Sequence, residues 1–269
     1  MARVRAGRYA AGMAAPIFDP DIPRYQTVAL QRLLDGVTTG YGHHTGGMVP
    51  ADRAGALAEK FQALYGIGIT RNQRAYRKTR GLANARLQLY PHTDEAPAFR
   101  WWLQATPGTG EIHAREHLKD AALPGERLCW GDRFELVHLP RPGASARWTW
   151  RMTRTEYQAW HERIRIAVRQ RDGDDLVRQL IWSLFRVPGF GGLRDQVKLL
   201  RRQLVKEWQR SRRASDPLPP VPAFIGCVRR SGGESFPLSL IAERMARGLR
   251  PFPNRPTTAT EDAEHADGP

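Results

Sequence analysis

Cysteines, long apolar runs and signal-like segments are scarce or missing in this sequence. The two cysteines, Cys129 and Cys227, are far apart and have no CxxC partner, which argues against a cysteine-based zinc site and a disulfide framework. No run approaches the roughly 18 apolar residues of a membrane span. Residues 1–15 also lack the continuous apolar core of a secretory signal. We therefore expect a cytoplasmic protein with no membrane partner.

Lysine is scarce too, and acidic residues are missing locally. Arginine outnumbers lysine 37 to 5, and the formal net charge is +15. Residues 71–86 contain six cations and no acid, and residues 194–213 contain eight cations and two acids. Guanidinium is a planar fork that matches phosphate oxygens and guanine edges. A GC-rich genome would explain the excess of arginine but not the local loss of acids, so the pattern favours a nucleic-acid-binding protein.

Signatures of nucleotide-driven and two-metal chemistry are absent from the sequence. The glycines between residues 40 and 47 match no phosphate-binding loop, no GxSxG is present, and the acids are scattered. His113 and His117 form a lone HxxxH without the HExxH spacing of metalloproteases, which is a weak metal signal. The sequence therefore predicts neither a cofactor nor a metal.

The spacing of apolar residues predicts an α+β chain with an antiparallel β-sheet. Helical spacing runs over residues 25–37, and the helix from about Asp52 to Gly66 is followed by one that Thr70 caps. Period-two alternation then predicts four strands between residues 85 and 152. The glycine-rich stretch 40–47 is expected to be an exposed loop, and residues 223–228 a short strand. The predicted segments are a basic flexible arm (1–24), a winged-helix-like unit of helices and β-sheet (25–152), a basic three-helix segment (153–215), a linker with a short strand and a helix (216–250), and a disordered acidic tail (251–269).

Residues 52–81 resemble a helix-turn-helix, and the strands that follow would form its wing. In this motif the start of the second helix reaches base edges, and basic residues further along hold the phosphate backbone. Arginine suits guanine, whereas asparagine and glutamine suit adenine. An ordinary helical corner with a solvated second helix is the alternative. The residues assigned to base edges are Arg71, Asn72, Gln73 and Arg74, and those assigned to the backbone are Tyr76, Arg77, Lys78 and Arg80. Arg86, on the strand that follows, is also assigned to nucleic acid.

A second basic surface is predicted on a helix over residues 193–212. Leu193, Val197, Leu200, Leu204 and Trp208 form its apolar stripe. Cations recur every four residues on another face, where they repel one another unless a polyanion neutralises them. A merely solvated outer face is the alternative. The residues assigned to nucleic acid are Arg194, Lys198, Arg201, Arg202, Lys206 and Arg210.

The last predicted strand, at residues 147–152, is expected to extend the binding surface. Alternation places Trp148, Trp150 and Met152 on one face and the set Arg147, Thr149 and Arg151 on the other. If the aromatic face is buried, the Arg–Thr–Arg face is exposed, and Arg147 and Arg151 can contact nucleic acid.

Non-enzymatic binding of duplex DNA, in bacterial replication, partition, mobilisation or regulation, is the function that these features favour. Two other classes remain open. An RNA-binding protein or metal-independent endoribonuclease would use His43 or His44 with Tyr41 to act on the 2′-hydroxyl and the scissile phosphate. A subunit of a nucleoprotein complex would bind protein through its tryptophan-rich faces. Nothing in the sequence sets the oligomeric state.

Overall fold

Helices and antiparallel sheets alternate along the chain, and the predicted α+β class is confirmed. The structure is a computed structural model that describes residues 18–94, 96–141, 143–170, 174–213, 215–225 and 234–254. Its helices are α1 (Gln26–Thr38), α2 (Ala54–Tyr65), α3 (Arg71–Thr79), α4 (Glu111–Arg115), α5 (Arg154–Arg169), α6 (Asp174–Phe185), α7 (Gly191–Ser211) and α8 (Leu238–Ala246). Its strands are β1 (Asp21–Pro23), β2 (His43–Pro50), β3 (Ala85–His92), β4 (Ala98–Ala105), β5 (Lys119–Asp120), β6 (Cys129–Trp130), β7 (Phe134–Arg141), β8 (Ala144–Met152) and β9 (Ser235–Pro237).

The larger sheet has four strands in the order β3-β4-β2-β5. Val49, Leu89 and Phe99 pack against α2 and α8 on one of its faces. On the other face, Trp102 belongs to a core shared with α1 and the second sheet. That second sheet, in the order β6-β7-β8, packs against the helices α5 and α7. Helix α1 therefore lies between two β-layers.

The glycine-rich stretch was expected to be an exposed loop, and that prediction is wrong. It contributes β2, a strand whose Gly46 pairs with Trp102 and whose Gly47 pairs with Trp101, both on β4. A Cβ atom on Gly46 would lie 2.6 Å from the main-chain oxygen of Trp101, and one on Gly47 would lie 3.3 Å from its indole ring. Glycine is needed at position 46 because the main chain of the neighbouring strand comes too close for a side chain, whereas a side chain at position 47 would make a tight contact with the Trp101 ring.

The three helices of the basic segment form where the apolar stripes predict them. All five stripe residues of α7, from Leu193 to Trp208, are buried. Thr153 caps α5 by accepting a hydrogen bond from the main-chain N–H of Glu156. In α6 the predicted Ile181 and Leu184 are buried and Leu180 is half-buried, whereas Leu176 is exposed and Val177 is buried in its place.

The ends of the described chain meet in a small sheet. Strand β1 pairs with β9, so the predicted flexible arm joins the fold before residue 24. Residues 1–17 lie outside the described residues, as do residues 255–269 of the predicted tail. The strand predicted over residues 223–228 does not form at 223–225, and the rest of it lies outside the described residues. Within the described ranges, no helix combines the length and apolar character needed to cross a bilayer.

Replacing Gly46 with alanine should lower the free energy of unfolding by about 1–3 kcal/mol, because the new methyl group collides with the main chain of β4. Gly42→Ala is the matched control, since a Cβ atom there meets nothing within 4 Å. It should leave the stability unchanged or raise it by up to about 1 kcal/mol. Urea denaturation measures both changes. Equal effects of the two substitutions on stability would indicate that residues 40–47 form an exposed loop and not a strand.

Candidate nucleic-acid interface

Helix α3 lies entirely on the surface. None of its nine residues is buried, and none is acidic. A capping box starts it, as the threonine predicts: the Thr70 hydroxyl accepts from the Gln73 main-chain N–H at 3.3 Å, and the Gln73 side chain accepts from the Thr70 N–H at 2.8 Å. The Gln73 side-chain oxygen is therefore engaged in the cap. Of the four residues assigned to base edges, Arg71, Asn72 and Gln73 are exposed and Arg74 is half-buried.

Two arginines fasten α3 to the body of the protein. Arg74 donates to the Ile67 carbonyl at 2.9 Å, and Arg77 donates to the Ala83 carbonyl at 2.8 Å. Their Nε atoms are buried without a partner among the described residues. Asn84 adds a 3.1 Å bond to the Arg74 carbonyl. Arg74 and Arg77 thus hold the helix in place, where the sequence had assigned them to nucleic acid.

The side chains that α3 offers to a ligand are those that do not hold the helix. Tyr76 is 58 % exposed, and the Arg80 guanidinium lies 5.3 Å above its ring. Arg71 and Lys78 are exposed and form no ion pair in the described structure. The left-handed Gly66, with φ of +65°, ends α2 and turns the chain toward α3. The described order is a helix, a glycine turn and a helix, but α3 has no buried residue with which to pack on α2, so the helix-turn-helix resemblance stays a prediction.

Arg86 does not join that surface. It lies on β3, where burial lowers the pKa of its guanidinium and Tyr41 lies 5.8 Å beneath it. Its cross-strand neighbour is Gln104, whose neighbour on β2 is His44. Arg86 therefore belongs to the interior row of the larger sheet.

The two histidines of the endoribonuclease hypothesis lie on opposite faces of the larger sheet. His43 and His44 are consecutive on β2, and consecutive strand residues point to opposite faces. The His43 ring meets the edge of His113 at 5.2 Å on one face. On the other face His44 is only 6 % exposed, and Tyr41 lies against Arg86, which is in the same cross-strand row as His44. The two histidines therefore do not act on one phosphate, and a pairing of one of them with Tyr41 stays a prediction.

His44 is buried and hydrogen-bonded within the fold. Its Nε2 atom lies 2.8 Å from the Glu126 carbonyl oxygen, and because a carbonyl only accepts, Nε2 carries the proton. Burial lowers the pKa of the ring, although the Glu126 carbonyl opposes that effect. His44 is therefore neutral near pH 7.

The Arg–Thr–Arg face of β8 was expected to be exposed, and the N-terminus of α7 covers its centre. Thr149 is only 4 % exposed and accepts from the Gly192 N–H at 3.1 Å. Arg151 donates to Glu135 at 2.7 Å. The Arg147 guanidinium lies against Gly191. Alternation assigned the two faces correctly but could not show which element packs on each.

Helix α7 retains part of its predicted basic surface. Arg201 donates to the Pro222 carbonyl at 3.0 Å, and Arg210 pairs with Glu207 at 2.8 Å. The Nε atom of Arg194 is buried without a partner among the described residues. Within α7, the exposed cations that form no ion pair with a described residue are Lys198, Arg202 and Lys206. The outward charge of α7 is thus concentrated in these three residues.

The two basic helices are attached to different layers. Helix α3 is bonded beside the start of β3, whereas α7 packs on β8 and α5.

The larger sheet also borders a cleft of about 320 Å³ along β2, which we call the β2 cleft. Sequence reasoning missed it because its walls come from distant segments. They include Gly46, Gly47, Arg100, Lys119, Arg127 and Cys129.

No metal centre is evident in the part of the chain that the structure describes. No three histidine, cysteine, aspartate or glutamate side chains come together there. His113 lies on α4 and its Nε2 is 2.9 Å from the Thr106 carbonyl, while His117 follows the end of that short helix. The HxxxH pair is therefore not arranged on one helical face.

Comparison with known protein families, curated proteins and solved structures gives no match. The function must therefore be argued from the geometry and charges of this chain.

The pH dependence of stability should report the burial of His44. Because its folded pKa lies below the unfolded value of about 6.5, the unfolded chain takes up a proton first as the pH falls. The contribution to stability is complete above about pH 6.5 and is lost below it, with a slope of at most about 1.4 kcal/mol per pH unit. His44→Gln keeps an N–H for the Glu126 carbonyl and should flatten this slope.

Urea denaturation between about pH 5 and pH 7 measures the slope. The exposed His117, replaced by glutamine, is the control and should leave the slope as it is in the parent protein. A His44→Gln variant with the parent slope would show that this histidine titrates freely.

Proposed function

We propose that this protein binds nucleic acid, prefers duplex DNA and is not an enzyme. The observation that carries the proposal is α3, which has no buried side chain and no acid. Two of its arginines, Arg74 and Arg77, hold it to the fold by hydrogen bonds to main-chain carbonyls. Because α3 adds no side chain to the core, most of its side chains are free to contact a ligand. What it presents is Arg71, Asn72, Tyr76, Lys78 and Arg80.

Electrostatics supports a polyanionic ligand. Exposed cations on one short helix repel one another and lower its stability, and a row of phosphates removes that cost. Arg71 and Asn72 are placed at the N-terminal end, where a helix entering the major groove reaches base edges. Lys198, Arg202 and Lys206 on α7 supply a second surface for backbone phosphates. We further propose a cytoplasmic role in bacterial replication, partition, mobilisation or regulation.

Unpaired RNA is the second candidate ligand, and one observation favours it. Trp182 on α6 is 62 % exposed, and the Arg186 guanidinium lies 4.1 Å from the centre of its ring. An exposed indole beside arginine can stack on a base that is not paired. Binding of duplex DNA, single-stranded DNA and hairpin RNA of equal length, over a salt series with EDTA, tests both candidates. Preferred binding of hairpin RNA would overturn the proposed preference for duplex DNA.

Arg71→Ala should cost about 1–3 kcal/mol of binding free energy on a duplex selected by the intact protein from a random pool, and much less on an unselected duplex. The reason is that Arg71 contacts its base only on a duplex that carries that base, so only there does the substitution remove a contact. Arg115→Ala is the matched control, because Arg115 is equally charged and exposed but paired with Glu111. Fluorescence anisotropy measures the affinities. Equal losses on both duplexes would reduce Arg71 to a phosphate contact.

Replacing Lys198, Arg202 and Lys206 together with glutamine should reduce the salt dependence of duplex binding. Each lost phosphate contact lowers the slope of log K against log salt by about 0.9. The control replaces three exposed arginines that are ion-paired within their own helices: Arg115, Arg165 and Arg247. Both triple variants change the net charge equally. If their slopes fall together, α7 makes no specific contact and only net charge matters.

A further inference from the structure

The edge of β2 that faces the β2 cleft is not covered by another strand in the described structure. Strand β5 pairs with β2 only at His43 and His44. Beyond His44, Gly46, Gly47 and Met48 are exposed. Every second residue of an extended strand directs its N–H and C=O to the same side. Part of the main chain of β2 therefore presents unpaired hydrogen-bonding groups to the cleft, as a sheet edge that can accept a further strand does.

The β2 cleft is lined by more positive than negative charge. Arg100, Lys119 and Arg127 contribute cations, and Asp132 is the carboxylate in its lining. Arg127 is paired with Glu135 at 3.0 Å, and Glu135 also holds Arg151 at 2.7 Å. Arg100 and Lys119 form no ion pair among the described residues. An extended segment that carries carboxylates would satisfy both the strand edge and these two cations.

This chain contains such a segment. Residues 256–269 include four acids, Glu261, Asp262, Glu264 and Asp267, and no lysine or arginine. Thr257, Thr258 and Thr260 precede the acids, and threonine favours extended structure. The segment is thus complementary to the cleft in charge, and its threonines have a high propensity for strands.

The described chain ends beside the larger sheet, next to β3 and two strands from β2. The Phe252 ring lies 6.2 Å from the Tyr90 ring and 6.0 Å from that of Phe236. Tyr90 is directly across from Arg100, and Arg100 is directly across from Met48 on β2. With about 4.8 Å between neighbouring strands, β2 lies about 10 Å from the strand that Phe252 contacts. Seven residues from Asn254 to Glu261 can span up to about 25 Å.

We propose that residues 256–269 dock in extended form in the β2 cleft, with their main chain against the free edge of β2 and their carboxylates near Arg100 and Lys119. Because the segment is tethered, its effective concentration at the cleft is in the millimolar range, so weak contacts suffice. If the cleft also contacts nucleic acid, the segment competes with it. That consequence alone rests on the proposed function.

A crosslink between the segment and the cleft tests the docking. Cys129 is exposed in the cleft wall, so the full chain would carry Ala263→Cys, with Cys227→Ser to leave one partner thiol. Oxidised glutathione takes up the two electrons, and the two thiols join while two molecules of reduced glutathione leave. We expect an intramolecular disulfide that forms roughly tenfold faster than in the same protein with all four acids replaced by their amides. No nucleic acid is present, so the result does not depend on the proposed function.

Two matched variants identify the cations involved. Arg100→Gln with Lys119→Gln should slow the crosslink by a similar factor, whereas Arg53→Gln with Lys60→Gln, two exposed cations on the opposite side of the larger sheet, should leave its rate unchanged. A crosslink that forms equally fast with the amide segment reflects chance collision and overturns the proposal. Disulfide-linked dimers in place of the internal bond would assign the cleft to a second copy, which also overturns it.

Discussion

The position of α1 between the two sheets is the constraint on which the remaining structure depends. Each sheet donates one buried side-chain N–H to a main-chain carbonyl of this helix: Gln104 of β4 to Leu33 at 3.2 Å, and Trp150 of β8 to Leu30 at 3.0 Å. A buried donor left without a partner costs about 1–3 kcal/mol. These bonds, together with the apolar core that α1 shares with both sheets, tie the two β-layers to the same helix. The layers in turn carry α3 at one place and α7 at another.

Arginine has two separate tasks in this protein. Some guanidinium groups bond main-chain carbonyls and hold elements together, as Arg77 does for α3, Arg201 for the segment at Pro222, and Arg212 for the end of α5 through Val168. A guanidinium with five donors is suited to this because loop and helix-end carbonyls have free lone pairs. Only the cations left over from that task, such as Arg71 and Lys198, are available to a polyanion. The net charge of +15 thus overstates the surface that can bind one.

Gly46 lies where close packing on one side of β2 meets an opening on the other. It is required because the main chain of Trp101 on β4 approaches too closely for a side chain. On the other side of β2, strand β5 pairs only with His43 and His44, so the edge of β2 beside Gly46 is uncovered. Arg100, from the strand that imposes the requirement, places positive charge beside it.

Local sequence determined those features whose causes lie within a few residues. The capping box of Thr70 and Gln73 starts α3, and the apolar stripe from Leu193 to Trp208 defines the inner face of α7, because both depend on contacts one or two helical turns apart. The tertiary structure alone decided that residues 43–50 form a strand, since that outcome depends on tryptophans more than 50 residues away. It likewise decided which arginines remain free. A guanidinium has the same sequence signature whether its partner is a carbonyl of the fold or a phosphate, and only the folded chain brings the carbonyl within reach.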